Sequence, residues 1–181
     1  MSAMQKTAMS ISEFERFVDQ VGNEDRLLEL IAGEVIESFH VPTAYSQIAH
    51  LLSAPVHTFC QARNIPCHVS GVLGAYNILG HVITPNFAYK PTSMSMEFAD
   101  PDPPLWVAEV IAPADRAETV RHKRQIYHDA GILLWEIYRP LQLVDVYAPG
   151  QPVREFGIDD MLDGGDVLPG FRLAVKELFA E

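Results

Sequence analysis

Acidic residues are missing from one long stretch of this chain. No Asp or Glu occurs between Glu37 and Glu97, although the 181 residues hold 24 acids against 13 Lys plus Arg, a formal net charge of −11. That balance excludes holding nucleic acid by bulk positive charge, because such affinity comes from neutralising phosphates. A small basic site inside an acidic body stays open. Cysteine is scarce: Cys60 and Cys67 stand alone, with no CxxC pair, which argues against a zinc site or a disulfide framework and for two reduced, partly buried thiols. The first twelve residues hold one Lys and no apolar run, so they resemble neither a secretory signal nor a membrane anchor, and the expectation is a soluble cytoplasmic protein without membrane contact. The seven histidines form no HxH or HxxxH pair, and the acids at 159–166 lack the twelve-residue calcium-loop pattern. With 48% hydrophobic and 20% charged residues, no repeat and no low-complexity linker, residues 1–181 read as one globular domain rather than a disordered, collagenous or coiled-coil chain.

What is present reads as α/β. Ser10-Ile-Ser-Glu13 matches a capping box, and Phe14, Phe17, Val18 and Val21 follow at helical spacing, predicting a short amphipathic helix to about Val21. Leu27-Leu-Glu-Leu-Ile31 and Glu34-Val-Ile-Glu-Ser-Phe39 flank Ala32-Gly33 and predict a hairpin; if Ile31 opposes Glu34 and Glu29 opposes Ile36, then Glu29 and Glu34 share one face. After Pro42, Ile48, Leu51, Leu52 and Phe59 predict a helix that Pro55 should end or kink. Residues 65–89 predict two or three strands turning at Gly71, Gly74 and Gly80. A Pro-rich turn at 101–104 leads into Leu105-Trp-Val-Ala-Glu-Val-Ile-Ala112, which fits a strand buried on both faces, with Glu109 the one charge in it. Asp115 and Glu118 form a capping-box-like pair for a helix over 116–130 stopped by Gly131, and on it Val120, Lys123, Tyr127 and Ala130 share a face, so Lys123 points towards the sheet. Two more strands, 132–138 and 141–147, turn at Arg139-Pro140, and an acidic loop at 159–166 precedes a short final helix ending near Phe179.

Glu109 carries the chemical argument. Burying a carboxylate is costly unless it meets a cation, a metal or several donors, and the following helix supplies Lys123 on its inward face. Acid and amine converging from a strand and the next helix is one way to build a divalent-metal phosphodiesterase site. There carboxylates hold magnesium, the metal polarises the phosphate and acidifies a water, and the lysine steadies charge. The plain counterpart is a buried salt bridge without metal. Likewise Arg121-His-Lys-Arg124 is either a phosphate-contacting patch or a solvated face, and Tyr45 and Tyr127 read as packing residues.

In Glu29-Leu-Ile-Ala-Gly-Glu34, Thr84-Pro-Asn86, Val107-Ala-Glu-Val-Ile111, the run from Lys123 to Gly131, and Leu168-Pro-Gly-Phe171, taken in order, the chain resembles the Uma-two type restriction endonucleases of the PD-(D/E)XK nuclease superfamily over residues 11–179. The resemblance implies a restriction-endonuclease-like core, a central mixed β-sheet flanked by helices with an N-terminal helix and hairpin. It implies hydrolysis of DNA phosphodiester bonds with magnesium or manganese. Carried over by position, Glu109 is the metal-binding acid, the Val110 carbonyl an extra ligand, Lys123 the catalytic lysine and Glu29 the hairpin acid, with Glu34 a second candidate. The metal-bridging Asp of the family falls on Asn86 here. Two further departures are Ala112 in place of Ser, and Tyr45-Ser46 where the family often has a phosphate-contacting His. An Asn oxygen can ligate a hard cation but brings no charge, and the first downstream acid, Glu97, lies eleven residues on. Two expectations follow: a magnesium-dependent endonuclease with DNA as partner, or a nuclease-fold binding or scaffold protein whose site has degenerated at Asn86. A homodimer joined through strands at 132–147 is a third expectation, resting on the frequency of symmetric dimers.

Overall fold

A computed structural model describes residues 8–180. In chain order the elements are α1 (Ile11–Val18), β1 (Leu28–Ile31), β2 (Glu34–Glu37), α2 (Thr43–Arg63), β3 (His68–Gly71), β4 (Tyr76–Ile78), β5 (His81–Ile83), β6 (Phe87–Lys90), β7 (Trp106–Val110), α3 (Ala117–Asp129), β8 (Leu133–Tyr138), β9 (Leu143–Tyr147), β10 (Arg154–Phe156), β11 (Met161–Gly164) and β12 (Leu168–Ala174), closed by a 3-10 turn at Val175–Phe179. Six strands form the central sheet in the order β10-β9-β8-β7-β6-β3. It is mixed, because β7 and β8 run parallel across the α3 crossover while its other neighbours are antiparallel. A smaller sheet, β2-β1-β5-β4, and the β11–β12 hairpin complete it. No described helix is long and apolar enough to cross a membrane.

Strand alternation divides the sheet's two faces. On one, Trp106, Ala108, Trp135 and Ile137 pack with Ile48, Leu52, Val56 and Cys60 of α2. On the other, Val107 and Leu134 pack with Ile126 and Tyr127 of α3 and with Ile31 of β1. Glu109 therefore faces α3, two positions beyond Val107. The hairpin has the register expected, Ile31 opposite Glu34 and Glu29 opposite Ile36. Its turn takes positive φ at Ala32 (51°) and Gly33 (77°), the geometry that matches strand twist; a side chain at Gly33 would also strike Ala8, 2.4 Å from the ideal Cβ position.

Several local expectations are corrected. Pro55 does not end α2, which runs on to Arg63. Ile48, Leu52, Val56 and Cys60 are all buried along one side, and that packing outweighs the roughly 3 kcal/mol an interior proline costs. The first helix stops at Val18, leaving Val21 exposed. Residues 65–89 yield four strands or parts of strands rather than two or three. Asp115 does not cap α3: its carboxylate accepts from the Ala112 N–H at 2.7 Å, and the N-cap is Arg116, with no side-chain bond. The acidic segment at 159–166 is half strand, because Leu162 pairs with Leu173 in a hairpin whose apolar side chains enter the core, and only a 3-10 turn follows where a helix is expected. Cys60 is buried and Cys67 half-buried, both unpaired. The strand expected at 132–138 is β8, which lies inside the central sheet between β7 and β9.

The segment before β7 is held by an ion pair that sequence reading does not single out. Lys90, buried, donates to Asp100 at 2.7 Å and to the Asp102 carbonyl at 3.0 Å, and the N–H groups of Ser95 and Asp102 also reach the Asp100 carboxylate. Burial opposes ionisation of Asp100, but Lys90 and the two N–H groups more than reverse it, and its carboxyl sits below the ordinary value. A depressed acid adds stability above its unfolded pKa, near 3.9, that is lost as pH falls through the folded value. Asp100→Asn should cost about 1.5–3 kcal/mol at neutral pH, since buried Lys90 loses one charged partner but keeps the Asp102 carboxylate 3.3 Å away. Urea denaturation between pH 2 and 6 should show the loss shrinking towards the acid end; a constant loss across that range would contradict it.

Candidate functional site

The bottom of the site is a row of polar residues laid across the sheet by register. Glu109 lies opposite Glu136, and Glu136 opposite Asp145. Phe87 opposes Ala108 in an antiparallel pair, which sets residue 86 beside Glu109. Three elements close over this row: α3, the β1–β2 hairpin, and the first turn of α2. Between them lies a cleft of about 570 Å³ that includes Glu29, Asn86, Glu109, Val110, Lys123 and Tyr45 among its walls.

Lys123 reaches down from α3 and bridges two carboxylates, with its ammonium 2.8 Å from Glu109 Oε1 and 3.2 Å from Glu29 Oε1. The three side chains are 12%, 11% and 4% exposed, so the cluster is nearly dry. Each acid has further donors. Tyr127, one helical turn past Lys123, donates to Glu109 Oε1 at 2.5 Å. Glu29 Oε1 accepts from Thr84 twice, from N–H at 2.7 Å and Oγ1 at 3.1 Å. Burial pushes the Glu109 carboxyl above its ordinary value; Lys123 and Tyr127 hold it down in part, while Glu29 adds to the rise. Burial works against the charged lysine as well, but Glu109 and Glu29 together outweigh it and raise its pKa further. The lysine is thus a fixed positive charge between two acids. Tyr127→Phe should cost about 1.5–3 kcal/mol, the range for a buried hydrogen bond to a charged group. Chemical denaturation checks this; a loss below half a kcal/mol would mean the phenol packs without bonding.

The neighbouring row position is neutralised separately. Arg124 grips Glu136 through two bonds, at 2.9 and 2.6 Å, Tyr138 adds a third at 2.7 Å, and the guanidinium lies over Tyr147. The basic run at 121–124 is therefore divided: Lys123 and Arg124 point inward to carboxylates, while Arg121 is exposed.

The arrangement unites Glu109, Lys123 and Glu29, and sets Asn86 and Val110 next to them. Tyr45 stands on the α2 wall, with Ser46. Glu34 lies at the exposed end of the hairpin and does not line the cleft. Glu97 lies with Glu15, Asp19 and Phe98 at a separate depression, so it does not replace the acid absent at position 86. Sequence reading missed the bonding roles of Tyr127, Thr84 and Arg124. The signal for Tyr127 was present, since it shares the inward face of α3 with Lys123 at a spacing of four.

The resemblance would place a magnesium or manganese ion against Glu109, the Val110 carbonyl and residue 86. The residues here do not fit one in this arrangement. Asn86 Oδ1 accepts the Val110 N–H at 2.6 Å, so the end of the amide left over is a donor, the wrong polarity for a cation. The inner oxygens of both carboxylates are taken by Lys123, Tyr127 and Thr84. Among the described residues no group of three or more His, Cys, Asp or Glu side chains is arranged to hold a metal ion.

Comparison with known proteins agrees with the geometry at the level of family and fold. A crystal structure of a protein from Anabaena variabilis, described as "a putative nuclease belonging to DUF820", superposes with a TM-score of 0.80 at 17% identity, covering 94% of this chain and 97% of that one. At that identity the likeness establishes the fold. No curated protein matches. The pattern of the Uma2 family, described as "Putative restriction endonuclease", matches residues 11–176. Because that match runs over most of the chain, the chain belongs to the Uma2 family.

Proposed function

We propose that this chain engages the phosphodiester backbone of DNA in the cleft and, with Asn86 in place, holds it without hydrolysing it. The observation that carries the first half is where the acid-free stretch goes. In a protein with net charge −11, that stretch supplies His40, Tyr45 and Ser46 to the α2 side of the cleft and Thr84 and Asn86 to its floor. The first turn of α2 has no acid and no side-chain cap. Across the cleft, α3 begins at Ala117, with Arg116 as an N-cap that makes no side-chain bond and Glu118 in the first turn. Arg116 is exposed and lines the cleft, and it makes no ion pair among the described residues. Helix starts carry partial positive charge and suit phosphate oxygens. The carboxylates in between are engaged: Glu37 with Arg26, Glu136 with Arg124, Glu29 and Glu109 with Lys123, Asp115 with a backbone N–H.

The test is fluorescence anisotropy of a labelled duplex in EDTA at several salt concentrations. Arg116→Ala should weaken binding similarly for unrelated sequences and lower the salt slope by about one, the effect of one lost phosphate contact. An unchanged slope would remove Arg116 from the interface, and absence of binding by the wild type at low salt would end the DNA reading.

A second reading is a magnesium-dependent endonuclease. It is favoured by the meeting of Glu29, Glu109 and Lys123, the trio the resemblance calls for. Nicking of supercoiled DNA by the wild type in magnesium or manganese, lost in Glu109→Gln, would decide for it.

A further inference from the structure

We infer that Lys123 is the resident cation of this cleft, its ammonium standing between Glu29 and Glu109 in the role a divalent ion would fill, with Asn86 locking the arrangement. The inference deepens the reading of a cleft that binds without cutting, and rests on it only for the nature of the ligand. Three facts support it.

The first is occupancy. The ammonium lies within 3.2 Å of one oxygen from each acid, and those oxygens also take Thr84 or Tyr127. A metal could reach the inner side of the pair only by driving the lysine out.

The second is charge. Two carboxylates and one ammonium leave a single negative charge. Magnesium gives up its water reluctantly and relies on carboxylates to offset that cost; here the available charge is already half neutralised.

The third is polarity at Asn86. The bond from the Val110 N–H to Asn86 Oδ1, at 2.6 Å, fixes the amide's orientation. Reversing it would set NH2 against N–H and leave a part-buried donor without an acceptor. Both halves of the lock come from the site's own backbone and side chains, so the cluster is complete before any ligand arrives.

Calorimetric titration with manganese tests this on the wild type, Asn86→Asp, Glu109→Gln and the double variant. The wild type should take up no manganese below millimolar concentration. Asn86→Asp should bind at least about tenfold more tightly, and the double variant should lose that binding. Wild-type binding in the micromolar range that Glu109→Gln abolishes would overturn the inference. So would an Asn86→Asp protein, folded by circular dichroism, that gains nothing. Lys123→Met supplies a second route, since with the ammonium gone the two acids should take manganese; a folded Lys123→Met protein that does not would also count against it. Duplex binding measured on the same samples separates the two ideas. A wild type that binds no DNA, with metal gained in Asn86→Asp, overturns the DNA reading and leaves the assignment of Lys123 standing.

Discussion

Asn86→Asp should make the stability of the folded protein depend on divalent metal, which the wild type should not show. The new carboxylate can still accept the Val110 N–H, so the local backbone keeps its bond. It also adds a third negative charge beside Glu109 and Glu29, with Lys123 the only cation among them. At the dielectric of a partly buried site, a like charge a few ångströms away costs roughly 1–3 kcal/mol. For a domain of this size each kcal/mol moves the melting point by about 2–4 °C. Melting in EDTA should therefore fall by several degrees relative to wild type. Manganese at a hundred times its Kd should then return about 2.7 kcal/mol, because the ion binds the folded state alone. Thermal melts of both proteins with and without manganese check this. Equal melting in all four conditions would show that residue 86 does not face a cation position.

Lys123→Met should be among the most destabilising single changes this fold can receive. It leaves Glu29 and Glu109 buried side by side with no counter-charge, and breaking a buried pair in this way costs about 3–5 kcal/mol. The pH dependence gives the loss a signature. Burial, with help from Glu29, already holds the Glu109 carboxyl above its ordinary value while Lys123 opposes the rise; removing the lysine lets it rise further. A carboxyl whose folded pKa exceeds its unfolded one keeps a proton that the unfolded chain gives up, so stability is lost as pH rises from about 4.3 towards the folded value. Between pH 4 and 8 the variant should lose stability with rising pH more steeply than the wild type. Urea midpoints across that range provide the measurement. A loss under 1 kcal/mol, or a profile parallel to the wild type, would mean the acids draw their charge balance from elsewhere.

The parts of this site that could be read in the sequence were those set by a local period. Glu109 stood out because a charge in an apolar strand is conspicuous, and Lys123 because helical spacing put it on the face of Val120 and Tyr127. The hairpin register followed from a two-residue turn. The meeting of Glu29 with Lys123 depends on how the small sheet docks against α3, and no spacing in the chain encodes that; the family resemblance was needed to name it. Arg124 looked like part of a solvated basic run because its partner, Glu136, comes from the next strand. Pro55 misled because a local rule about a missing N–H was weighed without the buried row of α2 that overrides it. At 159–166, Gly and Asp suggested a loop, and the alternation that makes a hairpin appears only when Leu162 is matched with Leu173. The Lys90–Asp100 pair was hidden for the same reason as Arg124: its two halves are joined by a folded loop.

The outer strand β10 is three residues long and carries Arg154 and Glu155, with Pro152 just before it. A short, charged border of this kind makes a poor template for another strand. Chains at high concentration thus have little to gain by lengthening one another's sheets along that side, and the apolar content of β8 and β9, enclosed behind it, stays out of reach of intermolecular pairing. For a protein with 48% hydrophobic residues, that border is a safeguard against aggregation.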